Sequence, residues 1–398
     1  MGLDVQAIRK QFPALAEGAA HFDGPGGTQV PQVVADAVAD ALTSAVSNRG
    51  EVTASERRAD DIVNTAREAM GDLLGVDPQG VVFGRSMTQL TYDFSRTLAK
   101  TWTPGDEVVV TRLDHDANIR PWVQAAAAAG AIVRWAEFDP STAELSAAAV
   151  AAVVSERTRL VAVSGASNLL GTRPPVREIA DIVHAAGALL YVDGVHYTAH
   201  SFVDVPALGA DFFACSPYKF CGPHLGALAA RPELLDTLTP DKLLPSTDDV
   251  PERFEFGTLP YELLAGTTAA VDFLAGLAPG EGTRRERLRT SMTAVEAHED
   301  SLRRRMEDRL AQLDRVVIYS RATYRTPTLL LTIDGHRPDD VYRHLATLGV
   351  NAPASSFYAI EPSRALGLGA DGGVRLGLAP YTDDSDVDRV LAGIEELA

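Results

Sequence analysis

The stretch Asp211–Pro223, DFFACSPYKFCGP, sets one lysine, Lys219, behind an apolar run that reads as a core strand. Lysine is rarely buried without a partner, because its ammonium loses hydration. Either the side chain snorkels to water, or it sits in a partly buried pocket. There its pKa falls and its lone pair becomes free for Schiff-base chemistry. A second capable residue, Asp193, ends the apolar run of LLYVDGVHYTAH, Leu189–His200. It is either a turn aspartate ahead of Gly194 or a carboxylate offered to a ligand. Asp193 and Lys219 stand 26 residues apart, at the ends of two different strand candidates. An amine for an aldehyde, and a carboxylate to keep a pyridine nitrogen protonated, are what pyridoxal phosphate asks of a protein.

That cofactor also needs a cup for its phosphate. FGRSMTQL follows the strand candidate Val81–Phe83 and opens a helix near Thr88. Backbone N–H groups at Ser86, Met87 and Thr88, helped by a hydroxyl, form such a cup at a helix N-terminus. The plainer reading is an ordinary Ser/Thr cap. His196 and His200 lie four apart beside Asp193, a spacing open to a metal. No HExxH pattern and no further ligand cluster accompanies them. The loop DGPGGTQVP, Asp23–Pro31, has neither a GKS/GKT ending nor GxGxxG, and reads as a flexible pocket wall.

Strands and helices must hold these groups. Val81–Phe83, Glu107–Thr111, Ile132–Ala136, Arg159–Ser164, Ala188–Asp193, Asp211–Cys215 and Gly226–Ala230 read as strands. Thr88–Lys100, Ala117–Ala129 and Val176–Ala186 read as helices between them. Apolar strands joined by helices make an α/β fold with a mostly parallel sheet, whose ligands collect at the carboxyl ends of its strands. After about Gly257 the pattern changes. Leu288, Met292, Val295, Leu302, Met306, Leu310 and Leu313 mark one face of a long helix near Arg284–Leu313, with charges opposite. Strands near Val316–Tyr319 and Thr328–Ile333, a helix near Asp339–Leu348, a strand near Gly373–Ala379 and a helix from Ser385 complete a compact α+β unit.

The 398 residues are 46% hydrophobic, enough for one large and one smaller domain. A formal charge of −18 argues against nucleic acid or an anionic membrane as partner. Two cysteines, Cys215 and Cys221, give no disulfide framework and fit a reducing cytoplasm. The N-terminus lacks an apolar signal core, and no run reaches the roughly 18 apolar residues of a membrane span.

Taken together, these segments resemble the class V aminotransferase, or cysteine desulfurase-like, family of fold-type I pyridoxal-phosphate enzymes. The resemblance implies a large domain with a seven-stranded sheet, residues 21–265, and a small C-terminal domain, residues 266–398. An N-terminal arm, residues 1–20, would pack on the small domain. LDHDANIRPW resembles the segment carrying the histidine that stacks on the cofactor, His115. SNLLGT resembles the loop whose asparagine, Asn168, contacts cofactor or substrate. VDGVH matches the segment of the pyridine-nitrogen aspartate, Asp193, and places His196 where a glutamine often approaches the phenolic oxygen. SPYKF matches Ser-x-x-Lys, with Ser216 to the phosphate and Lys219 to the aldehyde. RFEFGT implies that Thr258 reaches the phosphate of a neighbouring subunit, hence a homodimer with shared active sites. VRLGLAPYTDD implies that Arg375 clamps a substrate α-carboxylate.

One departure matters. A cysteine desulfurase carries a thiolate on the loop before that arginine, and Gly349–Gly367 contains no cysteine. Cys221, two residues past Lys219, lies on a different segment. The expectation is an enzyme acting on a small or modified α-amino acid through a Cα carbanion, by transamination or β-elimination. The alternatives are epimerisation, a desulfurase using Cys221 or an external thiol, and a binding protein that kept the fold. The substrate end of the pocket is expected from Asp23–Thr28, Arg49–Ser55 and Ser355–Tyr358.

Overall fold

The computed structural model describes residues 2–398. Its main sheet has seven strands, in spatial order Val81–Gly84, Gly226–Ala230, Phe212–Cys215, Leu189–Asp193, Thr158–Ser164, Glu107–Thr111 and Ile132–Ala136. Gly226–Ala230 runs antiparallel to both of its neighbours, and the remaining pairings are parallel. Alternate residues of these strands feed two cores. Val109, Val161, Val163, Leu190, Val192 and Phe213 pack on one face. Val108, Val110, Leu160, Ala162, Tyr191 and Phe212 pack on the other. Both faces of the inner strands are covered, so these are apolar almost throughout instead of alternating, while the edge strand Ile132–Ala136 carries Arg134 and is partly exposed. This is why the inner strands were visible as apolar runs.

Helix positions follow local chemistry. Ser86 caps Met87–Ala99 by accepting from the Gln89 N–H at 3.1 Å. The helix expected from Ala117 begins instead at Arg120, with Pro121 in its first turn. Residues Asp116–Asn118 form a separate 3-10 turn. Proline lacks an N–H and suits only a first turn, so it resets the helix start. Three helices of more than ten residues escaped the sequence reading: Gln32–Thr43, Ala54–Leu74 and Tyr261–Ala275. The second is dense in charge, yet Ala59, Val63, Ala66, Met70 and Leu74 line its buried face. Its signal was the capping box of Thr53 and Glu56. Tyr261–Ala275 packs on both of the others.

The C-terminal unit has an antiparallel sheet, in order Ala354–Ser355, Gly373–Gly377, Thr328–Ile333 and Val316–Ile318. Helices Arg284–Leu310, Pro338–Thr347 and Asp384–Glu395 close on it around Met306, Leu329, Leu331, Val341, Leu376 and Val390. Residue 266 falls inside the helix Tyr261–Ala275. Ala20–His21 pairs with Val350–Asn351, and Phe22 is buried in the C-terminal core. The chain therefore leaves that unit only beyond residue 22. The N-terminal arm serves both parts. Arg9 pairs with Asp386 at 2.6 Å in the last helix, while Ile8 and Phe12 join the core under the main sheet. Among the described residues, no helix is long and apolar enough to cross a membrane.

Candidate functional site

The carboxyl ends of the parallel strands surround a cavity of about 590 Å³, closed on its far side by the C-terminal unit. Leu189–Asp193 and Phe212–Cys215 are adjacent parallel strands with Asp193 opposite Ala214. The next turn after Ala214 carries Ser216 and Lys219, so both chemical residues open onto the same space. His115 arrives from the end of Glu107–Thr111. Arg375 and Phe357 enter from the C-terminal unit.

Lys219 Nζ donates to the Pro25 carbonyl at 2.6 Å and has no carboxylate partner. Burial, aided by the positive charge of Arg375, brings its pKa down to about 7. Asp193 is 5% exposed and accepts from the Val195 N–H at 3.0 Å. Burial pushes its carboxyl up to about 6, against the pull of that N–H and of Lys219. A cationic ring nitrogen would supply the partner that burial denies it.

His115 Nδ1 accepts from the Ala117 N–H at 3.0 Å, which places the proton of the neutral ring on Nε2. Burial first, then the charge of Lys219, brings its pKa down to about 4, so the ring is uncharged at neutral pH. Tyr358 stacks against it, with centroids 5.6 Å apart. His196 is buried, and its Nε2 lies 2.9 Å and 3.0 Å from the hydroxyls of Thr326 and Thr328. His200 packs edge-on to it and bonds Glu299 at 2.9 Å.

Arg375 is 2% exposed and donates through Nη1 to the Asn168 carbonyl at 3.0 Å. Phe357 covers one face of its guanidinium at 3.7 Å. Its Nε is buried without an acceptor, and so is the Oδ1 of Asn168 without a donor. Burial brings the arginine down to about 9, against the pull of the Asp23 carboxylate. Asn168 Nδ2 donates to the Phe357 carbonyl at 3.0 Å. Phe357 and Tyr358 both have positive φ, 51° and 59°, a left-handed pair held over the site by these bonds.

The remaining expected residues divide. Met87, Thr88 and Ser216 line the cavity. Ser86 does not, and its hydroxyl is spent on the cap. The helix start seats tightly, because a Cβ on Gly226 would lie 2.2 Å from the Ser86 carbonyl carbon. Thr258 is exposed and away from this chain's own cavity. Arg49–Ser55 also stays away, with Arg49 paired to Asp60 and Glu252. Pro25, Gly26, Ser355, Phe357 and Tyr358 do line the space. Cys221 does not line it; its thiol is buried and pushed up to about 12 by that burial. Tyr92 and Arg120 were not foreseen as lining residues. Tyr92 lies just past the first turn of Met87–Ala99 and Arg120 is the first residue of Arg120–Ala129, positions that apolar periodicity does not mark.

Pyridoxal phosphate fits this donor set. The first-turn N–H groups of Met87 and Thr88 have no acceptor within their helix, and Ser216 adds a hydroxyl. The orphaned Arg375 Nε would gain a partner from a ligand anion, and Lys219 is an amine with its pKa brought down to about 7.

A family model described as Aminotransferase class-V matches residues 20–390. The chain belongs to the class V aminotransferase family. It is 33% identical to the uncharacterized protein MT3887 of Mycobacterium tuberculosis, covering 100% of both chains. It is 30% identical to the aminotransferase-like protein FGM3 of Gibberella zeae, covering 98% of each. Among solved structures it resembles the cysteine desulfurase CsdA of Escherichia coli, with TM-score 0.87, 26% identity, and 99% and 98% of the two chains covered. This class V chain is thus a fold-type I, pyridoxal-phosphate-dependent enzyme of amino-acid chemistry.

Proposed function

We propose that the cavity holds pyridoxal phosphate and an α-amino acid, and that the reaction is transamination or β-elimination. One observation carries this reading: Lys219, Asp193 and Arg375 are withdrawn from water around a single cavity, and none has an ion-pair partner among the described residues. Such a set is costly unless a ligand completes it.

The bound cofactor supplies an aldehyde and an electron-withdrawing ring that takes up charge from a substrate Cα. Lys219 Nζ would hold that aldehyde, and its free amine would be the base for the substrate Cα proton. With a pKa near 7 it is neutral often enough to serve as a base. Asp193 would face the ring nitrogen and His115 would stack on the ring as an uncharged imidazole. The Met87 and Thr88 N–H groups and Ser216 would hold the phosphate. Arg375 offers the edge formed by Nε and Nη2 to the substrate carboxylate, because Nη1 is engaged by Asn168 and one face is under Phe357. Exposed Thr258 fits a homodimer in which it completes the partner's phosphate site.

No thiol reaches this cavity from the described residues, so sulfur would leave as sulfide and not as a protein persulfide. The test is a panel of amino acids added to the cofactor-loaded protein. Changes in the cofactor's visible band identify substrates, and mass analysis of products separates oxo acids with a new amine from elimination products. A protein that takes up no cofactor sinks the proposal. Loss of sulfide release in Cys221→Ala would restore the desulfurase reading.

A further inference from the structure

The segment Thr326–Thr328 lies against the turn at Gly171, whose φ of +76° and 2.8 Å approach to the Thr326 carbonyl leave no room for a Cβ. Thr326 donates its hydroxyl to the Gly171 carbonyl at 3.3 Å, and its N–H goes to the same oxygen at 2.9 Å. Thr328 is fully buried, and its hydroxyl has one polar neighbour within the chain, His196 Nε2 at 3.0 Å. A buried hydroxyl hydrogen without an acceptor costs about 1–3 kcal/mol. The arrangement that satisfies both threonines sends the Thr326 hydrogen to Gly171 and the Thr328 hydrogen to His196. His196 Nε2 must then be bare, and the proton of the neutral ring sits on Nδ1.

We propose that Thr328 is a positioning residue: its hydroxyl sets the tautomer of His196, so that this histidine presents an Nδ1–H donor to the phenolic oxygen of bound pyridoxal phosphate. The inference rests on the reading of the cavity given above. His200 lies edge-on to the ring, Lys219 and Arg375 place positive charge nearby, Asp193 precedes it in the chain, and Glu299 acts through His200. Burial, aided by nearby positive charge, holds the His196 pKa well below its ordinary value, so the ring stays neutral and its tautomer decides which nitrogen donates. A donor on the phenolic oxygen draws negative charge from it and so weakens the neighbouring protonated imine.

Two measurements test this. Nitrogen NMR of the imidazoles, with His196 assigned through His196→Gln, reads the tautomer in the cofactor-free protein, where Nδ1–H is expected. Thr328→Val should return the ring toward Nε2–H, Thr328→Ser should retain Nδ1–H, and Thr326→Val should leave it unchanged. In the loaded protein, Thr328→Val should raise the pH midpoint of the cofactor's visible band by about one unit, the worth of one hydrogen bond to a charged group. Thr328→Ser should leave that midpoint in place. A bare Nδ1 in the unsubstituted protein, or an unmoved midpoint in Thr328→Val, overturns the proposal while the cofactor site stands. Absence of any visible band overturns the site itself.

Discussion

Two arginines in this chain are almost equally buried, Arg67 at 1% exposure and Arg375 at 2%, and they do opposite things. Arg67 donates to Glu255 through both Nη atoms at 2.8 Å, to the Val81 carbonyl at 2.6 Å and to Glu252 at 3.2 Å. Glu255 in turn accepts from the Phe83 N–H at 2.9 Å. This closed network latches the RFEFGT segment to the strand that precedes the phosphate cup. Arg375 has one backbone carbonyl, an aromatic face and an orphaned Nε. A satisfied buried ion holds structure, whereas an unsatisfied one stores affinity for a ligand.

Breaking the satisfied network should have the largest effect on stability. Arg67→Met leaves Glu255 buried and unpaired, and should cost about 3–5 kcal/mol, read from the denaturant midpoint. Arg375→Met should reverse the pattern. Stability of the cofactor-free protein should hold or rise, while amino-acid affinity falls by roughly 30–100-fold, as expected for a lost charge-assisted pair of about 2–3 kcal/mol. If Arg375→Met unfolds the protein and Arg67→Met merely weakens substrate binding, the comparison is wrong.

A pH series sharpens the contrast. Only the neutral Lys219 amine attacks an aldehyde, and its pKa is brought down to about 7. The rate of cofactor attachment should therefore climb about tenfold per pH unit below 7 and level off above it. The charge of Arg375 is the second cause of that lowering, after burial. Arg375→Met should move the plateau to higher pH, whereas Arg67, outside the cavity lining, should not alter it in a variant that remains folded. The smallest effect belongs to Cys221→Ala, a cost of about 1 kcal/mol in melting with product formation unchanged. Its thiol is buried away from the cavity.

Much of the chemistry was legible because it sits at strand ends. A residue such as Asp193 or Lys219 interrupts an apolar run, and that interruption is visible in one dimension. Arg375 and Asn168 were reached only through the family resemblance, since neither breaks a pattern of its own. The helix Gln32–Thr43 was missed because it buries only Val34 and Ala41, and Ala54–Leu74 because its apolar residues are interspersed with many charges. At Ser86 the sequence left a phosphate cup and an ordinary cap open; its hydroxyl oxygen caps the helix, while the next two residues line the cavity.

The amino-acid order alone determined the seven strands, the parallel sheet and the types of group at its carboxyl ends, because burial on both faces demands unbroken apolar runs. Which groups share a cavity was decided by tertiary structure. Strand order set Lys219 beside Asp193, and the C-terminal unit brought in Arg375, Phe357 and the two threonines at His196. Protonation was decided there too. A lysine near neutrality and an uncharged His115 follow from desolvation and neighbouring charge, which depend on distances in space.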